Sequence, residues 1–228
     1  MTSTLAIRVN SLCRRRGLRW VLVHINFELE SGASLLIAGG NGAGKSTLLR
    51  LLSTLLPPSQ GELELFGQSL PAGRGEIRCK IGFLAHDNQL YLELTPDDHL
   101  RLWSRLADKA IPTDLLKTVG LENRSMEAVQ NFSAGMRKRL ALARLLLLDP
   151  QLVLLDEPFG QLDAAGVELM KTTIKDWKEA GKTVVLATHL LDLGKSLCDR
   201  ALLLQHGSLA WQGPASELDL AQAAGATS

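Results

Sequence analysis

Apolar and polar positions change period three times along this chain. Residues 5–13 and 21–29 alternate apolar with polar, the period of half-buried strands, with Gly17 in the turn between them. Residues 34–38 (SLLIA) are instead a continuous apolar run after the turn Ser31-Gly32, as in a parallel strand covered on both faces. A glycine-rich loop follows, then a predicted helix over 45–55 that stops before Pro57-Pro58. Residues 61–66 and 81–85 are further predicted strands. From about 95 to 148 the period becomes helical. Thr95 is a predicted N-cap, with Pro96 at the first helical position, Asp97 and Asp98 in the first turn, and Leu100, Trp103 and Leu106 on one face. A short helix over 113–119 closes at Gly120, and Ser133 caps a long helix over 134–148. The tail returns to strand–helix alternation: strand 152–155, helix 164–180, strand 183–187, a helix from about 190, and a hairpin over 201–212 turning at His206-Gly207. Strand–helix–strand units around the glycine loop predict an α/β fold with a mainly parallel sheet, helices on both sides, and the helical block as an inserted subdomain.

Composition narrows this picture. The 228 residues suit one well-buried domain, and 46% hydrophobic with 21% charged residues is ordinary for a globular protein. Lys and Arg number 25 against 24 Asp and Glu, a net charge of +1, so no broad basic field favours nucleic acid. Short basic clusters occur only at Arg14-Arg15-Arg16 and Arg137-Lys138-Arg139, and aromatics are 4%. Cys13, Cys79 and Cys198 lie far apart without metal-ligand spacing, as expected of reduced thiols in a cytosolic protein. The first ten residues lack the apolar core of a secretory signal. The most apolar stretch, 140–155, is interrupted by Arg144, Asp149 and Pro150, and a membrane helix needs about 20 consecutive apolar residues, so no span is expected.

The chemistry begins with GGNGAGKST at 39–47, which fits G-x-x-x-x-G-K-[ST] and lies between a predicted strand and a predicted helix. In such a P-loop, Gly39, Gly40, Asn41, Gly42, Ala43 and Gly44 let backbone N–H groups wrap phosphate at a helix N-terminus. Lys45 is placed to neutralise β- and γ-phosphate oxygens, Ser46 to ligate Mg²⁺ and Thr47 to hydrogen-bond the α-phosphate. LVLLDEP at 152–158 supplies the complement: an apolar strand delivers Asp156 toward Mg²⁺, and Glu157 beside it is positioned as general base for water. Alone, that segment is compatible with a solvated acidic turn; with the P-loop it completes an ATP-hydrolysing pair.

NFSAGMRKRLALARLLLLDP, starting at Asn131, resembles the signature segment of ABC ATPases. The resemblance runs from about residue 5 to 211. It implies that Ser133 and Gly135 meet the γ-phosphate held by a second copy of the chain, although Ser133 taken alone is more often just a cap. It also implies that Asp163 in Gln161-Leu162-Asp163 communicates across that dimer, and that His189 contacts the γ-phosphate. Phe132, Ala134 and Met136 depart from the common LSGGQ form. ATP and Mg²⁺ are then the expected cofactors. A second ATPase copy and integral membrane subunits are the expected partners, and the cytoplasmic face of the cell membrane is the expected location.

Two further departures are informative. Where most such ATPases stack an aromatic on adenine this chain has Arg16, Trp20 being out of register, and His86 replaces a glutamine in IGFLAHD. C-x-R-x-G near Cys13, His86 and the following LYLELT resemble the ATPase of the haem exporter of cytochrome c maturation. The alternative is drift within an ABC exporter ATPase for another substrate such as a lipid, drug or polysaccharide. A soluble ABC ATPase acting on DNA or ribosomes is disfavoured, since there is one ATPase unit and no heptad insertion. A regulatory GTPase needs N-K-x-D, which is absent.

Overall fold

The alternation at the start of the chain becomes a hairpin, in which β1 (Leu5–Arg16) and β2 (Arg19–Glu30) pair antiparallel. This computed structural model describes residues 4–70 and 74–219. Residues 1–3 of the N-terminal segment and residues 220–228 of the tail after Gln212 lie outside the described residues. Both strands run longer than 5–13 and 21–29, because arginines 14, 15 and 16 continue the ladder (Arg15 opposite Trp20, Arg16 opposite Arg19) without an apolar face to bury.

The remaining elements follow in order: β3 (Ser34–Ala38), α1 (Lys45–Leu52), β4 (Gln60–Leu65), β5 (Gln68–Ser69), α2 (Arg74–Arg78), β6 (Ile81–Leu84), α3 (Pro96–Ala107), α4 (Leu115–Thr118), α5 (Ala134–Leu148), β7 (Leu152–Asp156), α6 (Ala164–Glu179), β8 (Thr183–Ala187), α7 (Leu191–Leu197), β9 (Arg200–Gln205) and β10 (Ser208–Pro214). Among the described residues the strands form two sheets. One is antiparallel in the order β2-β1-β4-β5; the other has the order β10-β9-β3-β8-β7-β6, parallel except for the terminal β9–β10 hairpin. The helical block α3–α5 lies between β6 and β7 in the chain. No helix among the described residues is long and apolar enough to cross a membrane.

Continuous apolar runs in β3, β7 and β8 reflect burial of both faces. Leu36, Val153, Leu155, Val184 and Leu186 face α3, α5 and α6, while Leu35, Ile37, Leu152, Leu154 and Val185 face α1 and the antiparallel sheet. Burying a side chain of this size stabilises by about 1.5–3 kcal/mol. Ion pairs such as Arg8–Glu28 are exposed and screened by solvent, so the layered core holds the fold.

Several boundaries differ from the sequence expectation. Helix α1 ends at Leu52 rather than 55, because Thr54 adopts a left-handed φ of 61° and Arg78 takes its hydroxyl (2.9 Å) and carbonyl (3.3 Å). β4 covers Gln60–Leu65 rather than 61–66, since Phe66 turns out at φ 50°. β6 stops at Leu84, α4 is trimmed to Leu115–Thr118, and α6 ends at Glu179. β5 and α2 had no apolar period to betray them.

Candidate functional site

Strand β3 delivers the chain into residues 39–44, which turn back through positive φ at Gly39 (140°), Gly42 (77°) and Gly44 (108°) to open α1. Gly39 tolerates nothing larger, because a Cβ there lies 2.3 Å from the Leu204 carbonyl oxygen. Lys45 is buried, and its Nζ donates to the carbonyls of Gly39 (2.7 Å) and Gly40 (3.1 Å). Burial lowers its pKa, opposed by the nearby charges of Glu157 and Asp156. The lysine is thus curled over its own loop with carbonyl dipoles as its hydrogen-bond partners, a geometry suited to an incoming anion.

The end of β7 brings Asp156 to this loop, where its Oδ1 accepts from Ser46 Oγ at 3.1 Å. Burial raises the Asp156 pKa, offset by the Ser46 hydrogen bond, with His86 and Arg50 acting on it through space. Ser46 and Asp156 offer hard oxygen donors. No group of three or more His, Cys, Asp or Glu side chains gathers as a metal site among the described residues. That donor set fits Mg²⁺, which takes one or two protein oxygens together with phosphate oxygens and water.

Glu157 follows with φ 50°, a left-handed conformation costly for a non-glycine residue. Its N–H donates to the Ala187 carbonyl (2.8 Å). Its Oε2 accepts from Thr188 Oγ1 (3.2 Å) and the His189 N–H (3.3 Å), and lies 2.8 Å from His189 Nδ1. Lys45, Ser46, Asp156, Glu157 and His189 therefore gather at the ends of β3, β7 and β8, where a doubly wound sheet places ligands. His86 is exposed just past β6. Two residues on, Asn88 Oδ1 is the one buried side-chain polar atom without a hydrogen-bond partner among the described residues, and Asn88 and Gln89 both have positive φ (57° and 50°).

A second group sits at the N-terminus of α5. Ser133 Oγ accepts from the Met136 N–H at 3.2 Å, so it is an N-cap as well as an exposed hydroxyl. Gly135 permits close packing, since a Cβ there lies 2.7 Å from the Gln161 carbonyl oxygen. Asp163 caps α6 through the Gly166 N–H (2.8 Å) and pairs with Arg139 (2.5 Å). Arg16 lies at the turn end of the β1–β2 hairpin. It is exposed opposite Arg19, and Arg15 is the arginine lying over the Trp20 ring, at 5.9 Å.

The sequence profile described as ABC transporter matches residues 22–160. The chain belongs to the ABC transporter family. Nod factor export ATP-binding protein I of Rhizobium meliloti (strain 1021) is 35% identical over 211 residues, covering 90% of this chain. The chain spans 63% of that relative's length, under two thirds. Bacitracin transport ATP-binding protein BcrA of Bacillus licheniformis is 31% identical over 216 residues, 93% of this chain and 71% of that one. A solved ATP-binding cassette, captured as a dimer in a post-hydrolysis state bound to ADP and Pi, matches with a TM-score of 0.82. It is 25% identical over 92% of this chain and 98% of its own.

Within this ABC transporter chain, two side chains at the site escaped the motifs. Thr188 is buried beside Glu157, preceding His189 in a segment where only the histidine carried a pattern. Lys138 is 1% exposed and donates to the Glu157 and Gly160 carbonyls, each at 2.7 Å. Its helical spacing to Ala141, Leu142 and Leu145 places it on the buried face of α5, and that was the available signal.

Proposed function

We propose that this chain binds and hydrolyses ATP to drive an ABC exporter, working as a pair of copies on the cytoplasmic face of the membrane beneath integral membrane subunits. The observation that carries the reading is the convergence of Lys45, the Ser46–Asp156 hydrogen bond and the Glu157–His189 contact at one rim of the sheet. Lys45 leaves its loop carbonyls for phosphate oxygens, and the residue 39–44 backbone wraps them. Ser46 and Asp156 are the residues that would hold Mg²⁺, which when bound neutralises charge developing on the β- and γ-phosphoryl oxygens. Glu157 accepts a proton from the attacking water, and His189 orients the Glu157 carboxylate. Ser133 and Gly135 of the second copy complete the γ-phosphate site, with Asp163 beside them. The dimeric form of the solved cassette supports that arrangement.

The names of the relatives, Nod factor export and bacitracin transport, favour the ATPase of an ABC exporter for another substrate over one for haem. Haem is the second reading, carried by Cys13, Arg15 and Gly17 of C-x-R-x-G, by His86 and by the LYLELT run. Its weight is reduced because the buried Cys13 thiol serves the hairpin, accepting the His24 N–H at 3.2 Å where β1 and β2 slip register. The experiment is Lys45→Ala in the chain assembled with its membrane subunits. ATP turnover falls at least about 100-fold, as on losing a main electrostatic stabiliser of the transferred group. Wild-type turnover in that variant rejects the ATPase assignment.

A further inference from the structure

One side chain of helix α5 hydrogen-bonds the turn that carries Glu157. Lys138 is almost wholly buried, and its ammonium bridges the carbonyl of Glu157 and the carbonyl of Gly160. Those two residues bound the turn that follows Asp156, closed by Gly160 N–H donating to the same Glu157 oxygen at 3.3 Å. Glu157 is held there at φ 50°. Its backbone is therefore fixed from two sides, the N–H by the Ala187 carbonyl of β8 and the C=O by Lys138 of α5. Only then is its carboxylate aimed by Thr188 and His189.

One residue further along α5, Arg139 binds Asp163. Five residues before Lys138, at the N-terminus of the same helix, stands Ser133. At 1.5 Å per residue the two are roughly 7.5 Å apart along a rigid rod. A shift of α5 at Ser133 thus reaches the Glu157 turn through two short hydrogen bonds, one to the Glu157 carbonyl and one to that of Gly160. Many buried lysines merely satisfy loop carbonyls for stability. Here one carbonyl belongs to Glu157, whose conformation is strained and whose carboxylate is the proposed base, and the other to Gly160, which closes the same turn, so their placement bears on rate.

We infer that Lys138 is a positioning residue for hydrolysis, tying the α5 helix to the Glu157 backbone so that the carboxylate is aligned only when α5 is seated. The inference rests on the proposed ATPase reading of this site. It adds a group that touches neither nucleotide nor water and acts through Glu157.

The test is steady-state and single-turnover ATP hydrolysis by the chain assembled with its membrane subunits. In Lys138→Met, kcat falls about 100-fold, the order expected when a reacting group is misplaced by about 1 Å. KM for ATP moves less than about threefold, since ground-state binding is untouched. Lys138→Arg, which keeps charge and donors, recovers most of the rate. In a Glu157→Gln background, Lys138→Met lowers the residual rate by less than about twofold, because both changes act through one group. A kcat within about twofold of wild type, or losses that multiply in the double variant, overturns the inference. If Lys138→Met does not fold, Lys138→Gln decides: reduced kcat at unchanged KM supports the role, and unchanged kcat rejects it. Wild-type hydrolysis that Glu157→Gln cuts to a small residual rate isolates Lys138 as the tested step; without any wild-type hydrolysis, the proposed function itself falls, and this inference with it.

Discussion

His86 is exposed just beyond β6, at the start of the segment that runs on through the buried Asn88. A neutral imidazole offers one donor and one acceptor, the same pair a glutamine amide presents. In the proposed site it would hydrogen-bond the reacting groups from the loop that runs on through Asn88 and Gln89, both at positive φ. We expect His86→Ala to keep ATP affinity within about threefold and to slow hydrolysis in the assembled complex about tenfold, the low end of what removing one hydrogen-bonding side chain beside the reacting groups costs. His86→Gln recovers most of that loss. Equal rates for wild type and His86→Ala would show that the ring only occupies the position. The gathering of Lys45, Ser46, Asp156 and Glu157 at one place was legible because each sits in a dense motif whose geometry is fixed by its own strand and the loop that follows it. Lys138 and Thr188 were not, because their meaning lies in partners 19 and 31 residues away.

Among the elements, α3 shows how local signals set a boundary. Thr95 Oγ1 accepts from the Asp98 N–H (3.2 Å), while Asp98 Oδ2 accepts from the Thr95 N–H (3.2 Å) and Oγ1 (2.6 Å). The Thr95 hydroxyl, then the Thr95 N–H, hold the Asp98 carboxyl below its ordinary range. A depressed folded-state value means that the stabilisation is present above the unfolded carboxylate range and is lost as pH falls through the folded value. Thr95→Ala should lower unfolding stability by about 1 kcal/mol at neutral pH. The deficit should shrink in acid, as followed by urea titration at pH 7 and near pH 3; a pH-independent deficit would contradict this linkage. Such caps explain why the starts of α3 and α5 were readable to the residue, as were the apolar bounds of β8. The end of α1 was not readable, because it depends on Arg78 reaching back to Thr54. Nor were β5 and α2, which are too short to show a period.

At the scale of the molecule, the two groups of site residues lie on different parts of one chain. Lys45, Asp156 and Glu157 are at the rim of the parallel sheet, while the exposed Ser133 hydroxyl is at the N-terminus of α5, packed through Gly135 against the Gln161 carbonyl. In the proposed pair, a two-fold axis would bring Ser133 of each copy to the Lys45 loop of the other, and identical copies would then make two equivalent sites. A nucleotide held between copies stabilises the dimer by about 2.7 kcal/mol per site at 100 times its Kd, roughly 5 kcal/mol for two sites. Hydrolysis removes that stabilisation, so the dimer lasts only if the chemistry is stopped. Glu157→Gln leaves the phosphate contacts of Lys45 and Ser46 in place while removing the base. With ATP and Mg²⁺ it is expected to sediment as a dimer, and with ADP to return toward monomer. Ser133→Arg in the same background should abolish the dimer, because the bulky side chain occupies the space the partner's γ-phosphate needs. A Glu157→Gln protein that stays monomeric at saturating ATP, even with its membrane subunits present, would count against a site shared between copies.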